Sequence, residues 1–301
     1  MLARFPGDLG PPGPFQRARW FSSRSRGAVR AAPVPRRWVS KVDGDEVLVT
    51  QDGAVLTATI NRPRRKNALD TAAWNGLHEA VAKAAADDSV RCVVITGADG
   101  DFCAGADLSG DRGGQHPLHR MHGINDIALA LHELPKPSVA KVRGVAVGAG
   151  WNLALGCDLV VCTPDARFSQ IFAKRGLSLD FGGSWLLPRI VGMQQAKRLA
   201  LLGEIIGAEE AHELGAVTWV REDAEIDGFV ADLAERLAQG PPIALAQNKQ
   251  MLHAGSHQSL REALENEARA QAINFATDAP AARTAFVNKT EPEFTGEWMV
   301  R

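Results

Sequence analysis

From residue 47 onward, short apolar runs alternate with amphipathic stretches. Residues 47–49 and 55–60 read as two strands around the turn Gln51-Asp52-Gly53, a hairpin opening. Asn61-Arg62-Pro63 stops the second strand. Asp70 then stands as a cap before an alanine-rich run in which Trp74, Leu77, Val81 and Ala84 fall on one helical face. Residues 90–96, a mostly apolar run interrupted by Arg91, lie between Asp87-Asp88 and Gly97 and suit a strand buried on both faces of a parallel sheet. The order repeats with a helix ending near Leu134, a strand over 138–147 running into Gly148-Ala149-Gly150, a short helix from Asn152 and a strand over 158–162. Strand, turn and helix in alternation predict an α/β protein with right-handed crossovers. From about Met193 the pattern turns helical, with segments over 205–214, 227–238 and 260–276.

The first 40 residues break with this pattern: they hold eight arginines, one acid (Asp8), several prolines and the serines Ser22, Ser23 and Ser25. That composition matches a mitochondrial transit peptide. Gly10-Pro11-Pro12-Gly13-Pro14, however, interrupts the amphipathic helix such a peptide uses, and an upstream extension is the alternative. An extension leaves the protein in the cytoplasm; a transit peptide sends it to the mitochondrial matrix. The chain accordingly divides into a disordered extension (1–43), a folded core (44–240) and a helical C-terminal region (241–301).

A chain of 301 residues, 45% hydrophobic and 23% charged, can bury a large core. A formal net charge of -1 provides no field that recruits nucleic acid or an anionic membrane surface, so a small molecule or another protein is the expected partner. No apolar run approaches the roughly 18 residues of a spanning helix. Cys92, Cys103, Cys157 and Cys162 lie in apolar or glycine-rich runs without metal-ligand spacing and read as reduced core thiols. His116, His119 and His122 are spaced for one helical face, but Pro117 weakens a metal reading and no metal site is expected. His132 and His212 read as ordinary helix surface.

Two glycine-bearing turns follow strands, Ala104-Gly105-Ala106-Asp107 and Gly148-Ala149-Gly150. Each could leave backbone N–H groups free at or near a helix start, and two donors aimed at one oxygen make an oxyanion hole. Tight packing alone would explain either turn. A dinucleotide-binding reading of the second turn fails at Leu153, too bulky for the third glycine position. Asp180 sits in an apolar stretch punctuated by glycines, Gly176 to Pro188. If buried there, its carboxyl is held toward neutrality and suits a proton shuttle; a helix cap before Gly182-Gly183 is the competing role, and spacing leaves both open. Asp158 reads as structural.

These residues resemble the crotonase (enoyl-CoA hydratase/isomerase) superfamily over about 250 residues. The resemblance is carried, in order, by Ile60-Asn61-Arg62-Pro63 with Lys66-Asn67-Ala68-Leu69, by Phe102-Cys103-Ala104-Gly105-Ala106-Asp107-Leu108, by Gly144 to Gly150, and by Ala154 to Leu159. It implies a spiral of ββα units over the core, a helical C-terminal trimerisation region, and a homotrimer or dimer of trimers. It further implies that the N–H groups of Ala106 and Ala149 form the oxyanion hole. The stretch from Arg64 through Lys66 to Ala68 would help hold the coenzyme A nucleotide, with Ala104, Asp107, Leu108, Gly148, Asn152, Phe172 and Trp185 about the rest of the substrate. Coenzyme A would enter as part of an acyl-CoA substrate, with no separate cofactor.

Hydratases of this superfamily place two glutamates across the substrate double bond, and Asn152 and Phe172 stand at the matching positions here. The run from Phe168 to Arg189 is instead similar to ring-epoxyphenylacetyl-CoA isomerases, with Asp180 where those enzymes and dienoyl-CoA isomerases carry a proton-transferring aspartate. The resemblance therefore implies an isomerase shifting a C=C bond or ring isomer through Asp180, with Phe172, Phe181 and Trp185 shaping the acyl pocket. The alternatives are an enoyl-CoA hydratase using another acid and a low-turnover CoA- or RNA-binding relative.

Overall fold

The computed structural model describes residues 46–109, 114 and 116–298. The expected extension over 1–43 lies outside them, as do residues 110–113 and 115. β1 (Val47–Asp52) and β2 (Val55–Ile60) form the expected antiparallel hairpin, in register from Val47 opposite Ile60 to Asp52 opposite Val55. Its turn is Gly53-Ala54, with Gly53 at φ +52, a left-handed conformation that costs glycine nothing. Asp70 caps α1 (Thr71–Ala86), accepting from the Ala73 N–H, and Trp74, Leu77, Val81 and Ala84 are all buried.

β3 (Cys92–Gly97), β4 (Ser138–Val142), β6 (Leu159–Cys162) and β9 (Trp219–Val220) continue the sheet in parallel, giving the order β1-β2-β3-β4-β6-β9. The two-residue period of β3 explains its apolar run. Val93 and Ile95 pack into the main core with Leu56, Ile60 and Leu77, while Cys92 and Val94 face Val230, Leu233 and Ala234 of α7 (Ile226–Gln239). With both faces covered, every position on β3 but its last is buried.

The predicted strand over 138–147 is two strands in two sheets. β4 ends at Val142, and β5 (Val145–Val147) joins β7 (Arg167–Ser169) and β8 (Ile206–Gly207) in a second sheet. The break falls at Gly144, φ +53, where a Cβ would strike the Gly100 carbonyl and Asp101. Valines and alanines on both sides of Lys141, Arg143 and Gly144 concealed it, since both halves have strand-forming composition.

After the opening hairpin, whose two strands both lie in the large sheet, the chain repeatedly places one strand in the large sheet, steps to the small one, and closes with a helix. β4 and β5 lead to α3 (Ala149–Gly156); β6 and β7 lead to α4 (Gly183–Val191). β3 leads through an isolated bridge between Cys103 and Ala146 to α2 (Pro117–His132). This is the α/β spiral of ββα units implied above. α3 begins at Ala149, three positions before the expected Asn152. The segment over 205–214 resolves into β8 and α6 (Ala208–Glu213), separate from α5 (Met193–Leu202). Helices α8 (Pro242–Gly255), α9 (Leu260–Ala276) and α10 (Ala279–Asn288) complete the described chain, α9 matching its predicted limits and opening with a capping box between Ser259 and Glu262. Among the described residues no helix is long and apolar enough to cross a membrane.

Candidate active site

The segment 62–69 is bound tightly to the loop that carries Ala106. The Ala104 N–H donates to Lys66 O at 3.0 Å, Leu69 N–H to Gly105 O at 2.8 Å, and Asp107 N–H to Leu69 O at 2.9 Å. The last two make a parallel bridge centred on Ala106. In such a bridge the central residue's own N–H points away from its partner strand. Ala106 N–H therefore faces outward and has no acceptor among the described residues. This donor is exposed by a strand bridge and not by the helix start expected from its glycine turn.

The second donor does come from a helix start. Ala149 is the first residue of α3, the first intrahelical bond runs from Asn152 N–H to Gly148 O, and Ala149 N–H has no acceptor among the described residues. Gly148, at φ 58 and ψ -126, turns the chain from β5 into the helix in a conformation open to glycine and hardly to any other residue. Gly105, at φ +89, brings the two donors together. A Cβ there would lie 2.7 Å from Val147 O and 3.5 Å from Ala149 N. Gly150 lets the helix press on Cys103, whose carbonyl a Cβ would strike. All four cysteines are buried and free, and burial pushes the Cys103 thiol up to about 12.

Asp180 shares a cavity with Ala106 and lies on a loop between a 3-10 turn (Ile171–Arg175) and α4. Phe181 and Gly182 both have positive φ (45 and 77), and Gly183 N–H closes the turn on Asp180 O at 2.9 Å. Phe181 is held in this costly conformation by stacking on Trp74, ring centroids 5.4 Å apart. α4 has no side-chain cap, so Asp180 is not the helix cap that spacing allowed. Its Oδ1 is buried without a hydrogen-bond partner, and desolvation raises the carboxyl to about 6.

Two cavities meet at Asp180. One, of about 400 Å3, is bordered by Ala106, Trp74, Leu108, Met121 and Asp180; the other, of about 540 Å3, runs from Asp180 to Phe181, His132 and Trp185. Leu179 also borders both. The first holds two further carboxylates, and both are engaged. Asp70 caps α1 and pairs with Arg62 at 2.9 Å. Asp107 bonds Ser109 and pairs with Arg62 at 3.1 Å, which holds it at about 2. Asp180 alone of the three keeps its carboxylate unengaged.

The remaining predicted residues separate by position. Leu108 is exposed on the cavity wall, and Arg64 and Lys66 are exposed cations, Lys66 standing 3.6 Å from Asp101. Ala68 is buried, its carbonyl accepting from Arg62. Trp185 lines the second cavity, edge-on to His132 at 5.1 Å. Phe172 does not line either cavity; it is buried behind the Gly148-Ala149 turn, where a Cβ on Gly148 would meet its ring at 3.6 Å. Asn152 is also withdrawn from both cavities. Its fully buried amide donates to Asp180 O at 2.9 Å and accepts from Gln170 Nε2 at 2.8 Å, so it braces the site from behind. His132 is not ordinary surface: it stacks on His253 of α8, centroids 3.9 Å apart. Asp158 is structural, bonded to Ser138 and Lys249. His116 caps α2 through Nδ1, accepting from Leu118 N–H. Gln170 and Arg62 also organise the site, through partners too distant in the chain for local pattern to reveal.

The family model for Enoyl-CoA hydratase/isomerase matches residues 50–297. The 1,2-epoxyphenylacetyl-CoA isomerase of Escherichia coli K12 is 37% identical over 260 residues, covering 83% of this chain and 98% of that protein. A probable enoyl-CoA hydratase of Rhodobacter capsulatus is 38% identical over 243 residues, covering 79% of this chain and 93% of that one. Among solved structures, an enoyl-CoA hydratase from Polaromonas sp. JS666 superposes with a TM-score of 0.78 at 31% identity, covering 83% of this chain and 99% of its own. The ββα spiral and these matches agree: the chain belongs to the enoyl-CoA hydratase/isomerase family.

Proposed function

We propose that the protein is an acyl-CoA isomerase in which Asp180 moves a proton between carbons of the acyl group. The observation that carries this reading is the unpartnered, buried Oδ1 of Asp180 where two cavities meet, within an acid raised to about 6. In the reaction, the thioester oxygen accepts hydrogen bonds from Ala106 and Ala149 N–H. The Asp180 carboxylate takes a proton from an allylic or ring carbon. The C–H electron pair becomes a new C=C bond, and negative charge collects on the thioester oxygen, where two donors stabilise it. Asp180 then returns the proton to another carbon, so the bond shifts without gain or loss of atoms. The thioester is the electron sink, and the reaction calls for no metal or redox group.

Trp185, Phe181 and His132 support an unsaturated or ring-bearing acyl group in the second cavity. Arg64 and Lys66 support the anionic nucleotide of coenzyme A. Leu260, Phe275 and Phe286, all more than half exposed, are apolar surface that a trimer or pair of trimers would cover. Light scattering is expected to give three or six times the 32.3 kDa chain mass; a monomeric mass would refute this assembly.

Hydration needs a second carboxylate to hold and activate water, and Asp70 and Asp107 are both engaged elsewhere. The test is turnover of unsaturated and aromatic acyl-CoA esters against pH. Because the base form is required, isomerisation should climb about tenfold per pH unit below about 6 and level off above it. Hydration of crotonyl-CoA should run at least about 100-fold slower. Rapid crotonyl-CoA hydration would favour the hydratase reading.

A further inference from the structure

We infer that Asn152 is the positioning residue of the proton transfer, tying Asp180 to the same helix that supplies an oxyanion donor; the inference rests on Asp180 being the proton shuttle. α3 carries Ala149 at its first position and Asn152 three residues on. One turn of one helix therefore holds both halves of the site. The Asn152 Nδ2 donates to the Asp180 carbonyl at 2.9 Å, and that carbonyl also closes the turn with Gly183 N–H. Packing leaves the amide no freedom. A Cβ on Gly183 would collide with the Asn152 amide, so glycine at 183 is what admits a side chain of this length behind the turn.

Gln170 holds the other end of the amide. Its Nε2 donates to Asn152 Oδ1 at 2.8 Å, leaving Nδ2 to face Asp180, and Gln170 is itself fully buried. The residue before it, Ser169, accepts from Gly148 N–H at 2.8 Å, so the end of β7 fixes the oxyanion turn and the amide together. A relay from β7 through Gln170 and Asn152 to Asp180 thus keeps the carboxylate at a constant distance from the thioester oxygen. Small misplacements of a reacting group cost rate far more than affinity. The residue standing where hydratases carry a glutamate is here a brace for a different acid.

The test uses Asn152→Leu, which keeps a branched side chain of four heavy atoms and removes the donor, and Gln170→Leu, which removes the partner of Asn152 Oδ1 and serves if the first variant folds poorly. Isomerase kcat is expected to fall by about 10- to 100-fold in Asn152→Leu and about 10-fold in Gln170→Leu, with KM within about threefold. Released toward water, Asp180 should also ionise more easily, moving the acid limb of the pH–rate profile down by roughly half a unit or more. Asp70, Asp107, Arg120 and His132, the other titratable groups lining the two cavities, are untouched by either change. Wild-type kcat in both variants would overturn the inference, as would a loss of kcat that follows the folded fraction with the acid limb unmoved. Asp180→Asn is assayed alongside. Full turnover there would sink the parent reading, whereas lost turnover there with wild-type rates in the other two would sink this inference alone.

Discussion

Replacing Ala149 by proline is expected to lower kcat by about 10²–10³-fold while leaving α3 folded. Ala149 is the first residue of the helix, where proline's fixed φ is already suitable and its missing N–H has no helical partner to lose. Gly148 before it has no Cβ to meet the proline ring. The substitution therefore acts on the site alone: it removes one of the two N–H groups proposed to hold the thioester oxygen and puts a ring methylene in its place. Affinity for coenzyme A itself should change little, since Arg64 and Lys66 are untouched. Circular dichroism reads the helix content and steady-state kinetics the rate. A variant that folds and turns over at the wild-type rate would remove Ala149 N–H from the mechanism.

Asp180→Asn is expected to stabilise the protein at pH 8 while abolishing its chemistry. Burial lifts the carboxyl from 3.8 to about 6, so the folded state holds its proton more tightly than the unfolded chain does. Below about pH 4 both states are protonated and the acid costs nothing. As pH rises toward 6 the unfolded chain ionises first, and wild-type stability falls; above 6 the penalty is constant. At pH 8 it amounts to at most about 3 kcal/mol. Asparagine never ionises, so the variant's advantage should open between pH 4 and 6 and persist above. Denaturant melts at pH 4 and pH 8 measure the difference. Equal stability of the two proteins at both pH values would mean that Asp180 is solvated in the folded state.

Periodicity made the scaffold legible. β2 alternates buried and half-buried positions, α1 presents Trp74, Leu77, Val81 and Ala84 on one face, and α9 follows its capping box. What stayed hidden depends on contacts remote in sequence. The division of 138–147 at Gly144 follows from the close approach of Gly100 and Asp101. The start of α3 at Ala149 follows from the Gly148 conformation, which the fold imposes. The site was partly legible: the two glycine turns and Asp180 stood out by residue type and surroundings. Asn152 was noticed for the glutamate it is not, while its role as brace depends on Gln170 and on the path of the Asp180 loop. His132 looked like surface because its stacking partner His253 belongs to the C-terminal helices.

Whether Asp180 carries a proton between carbons can be read from the exchange of acyl C–H protons into deuterated water. Wild type and Asp180→Asn are incubated with unsaturated and aromatic acyl-CoA esters at pH 8, where the wild-type carboxyl is ionised, and deuterium at each carbon is followed by NMR. The account predicts exchange at allylic or ring positions in the wild type and a loss of about 10³-fold or more in the variant. Exchange at the same rate in both proteins would contradict it.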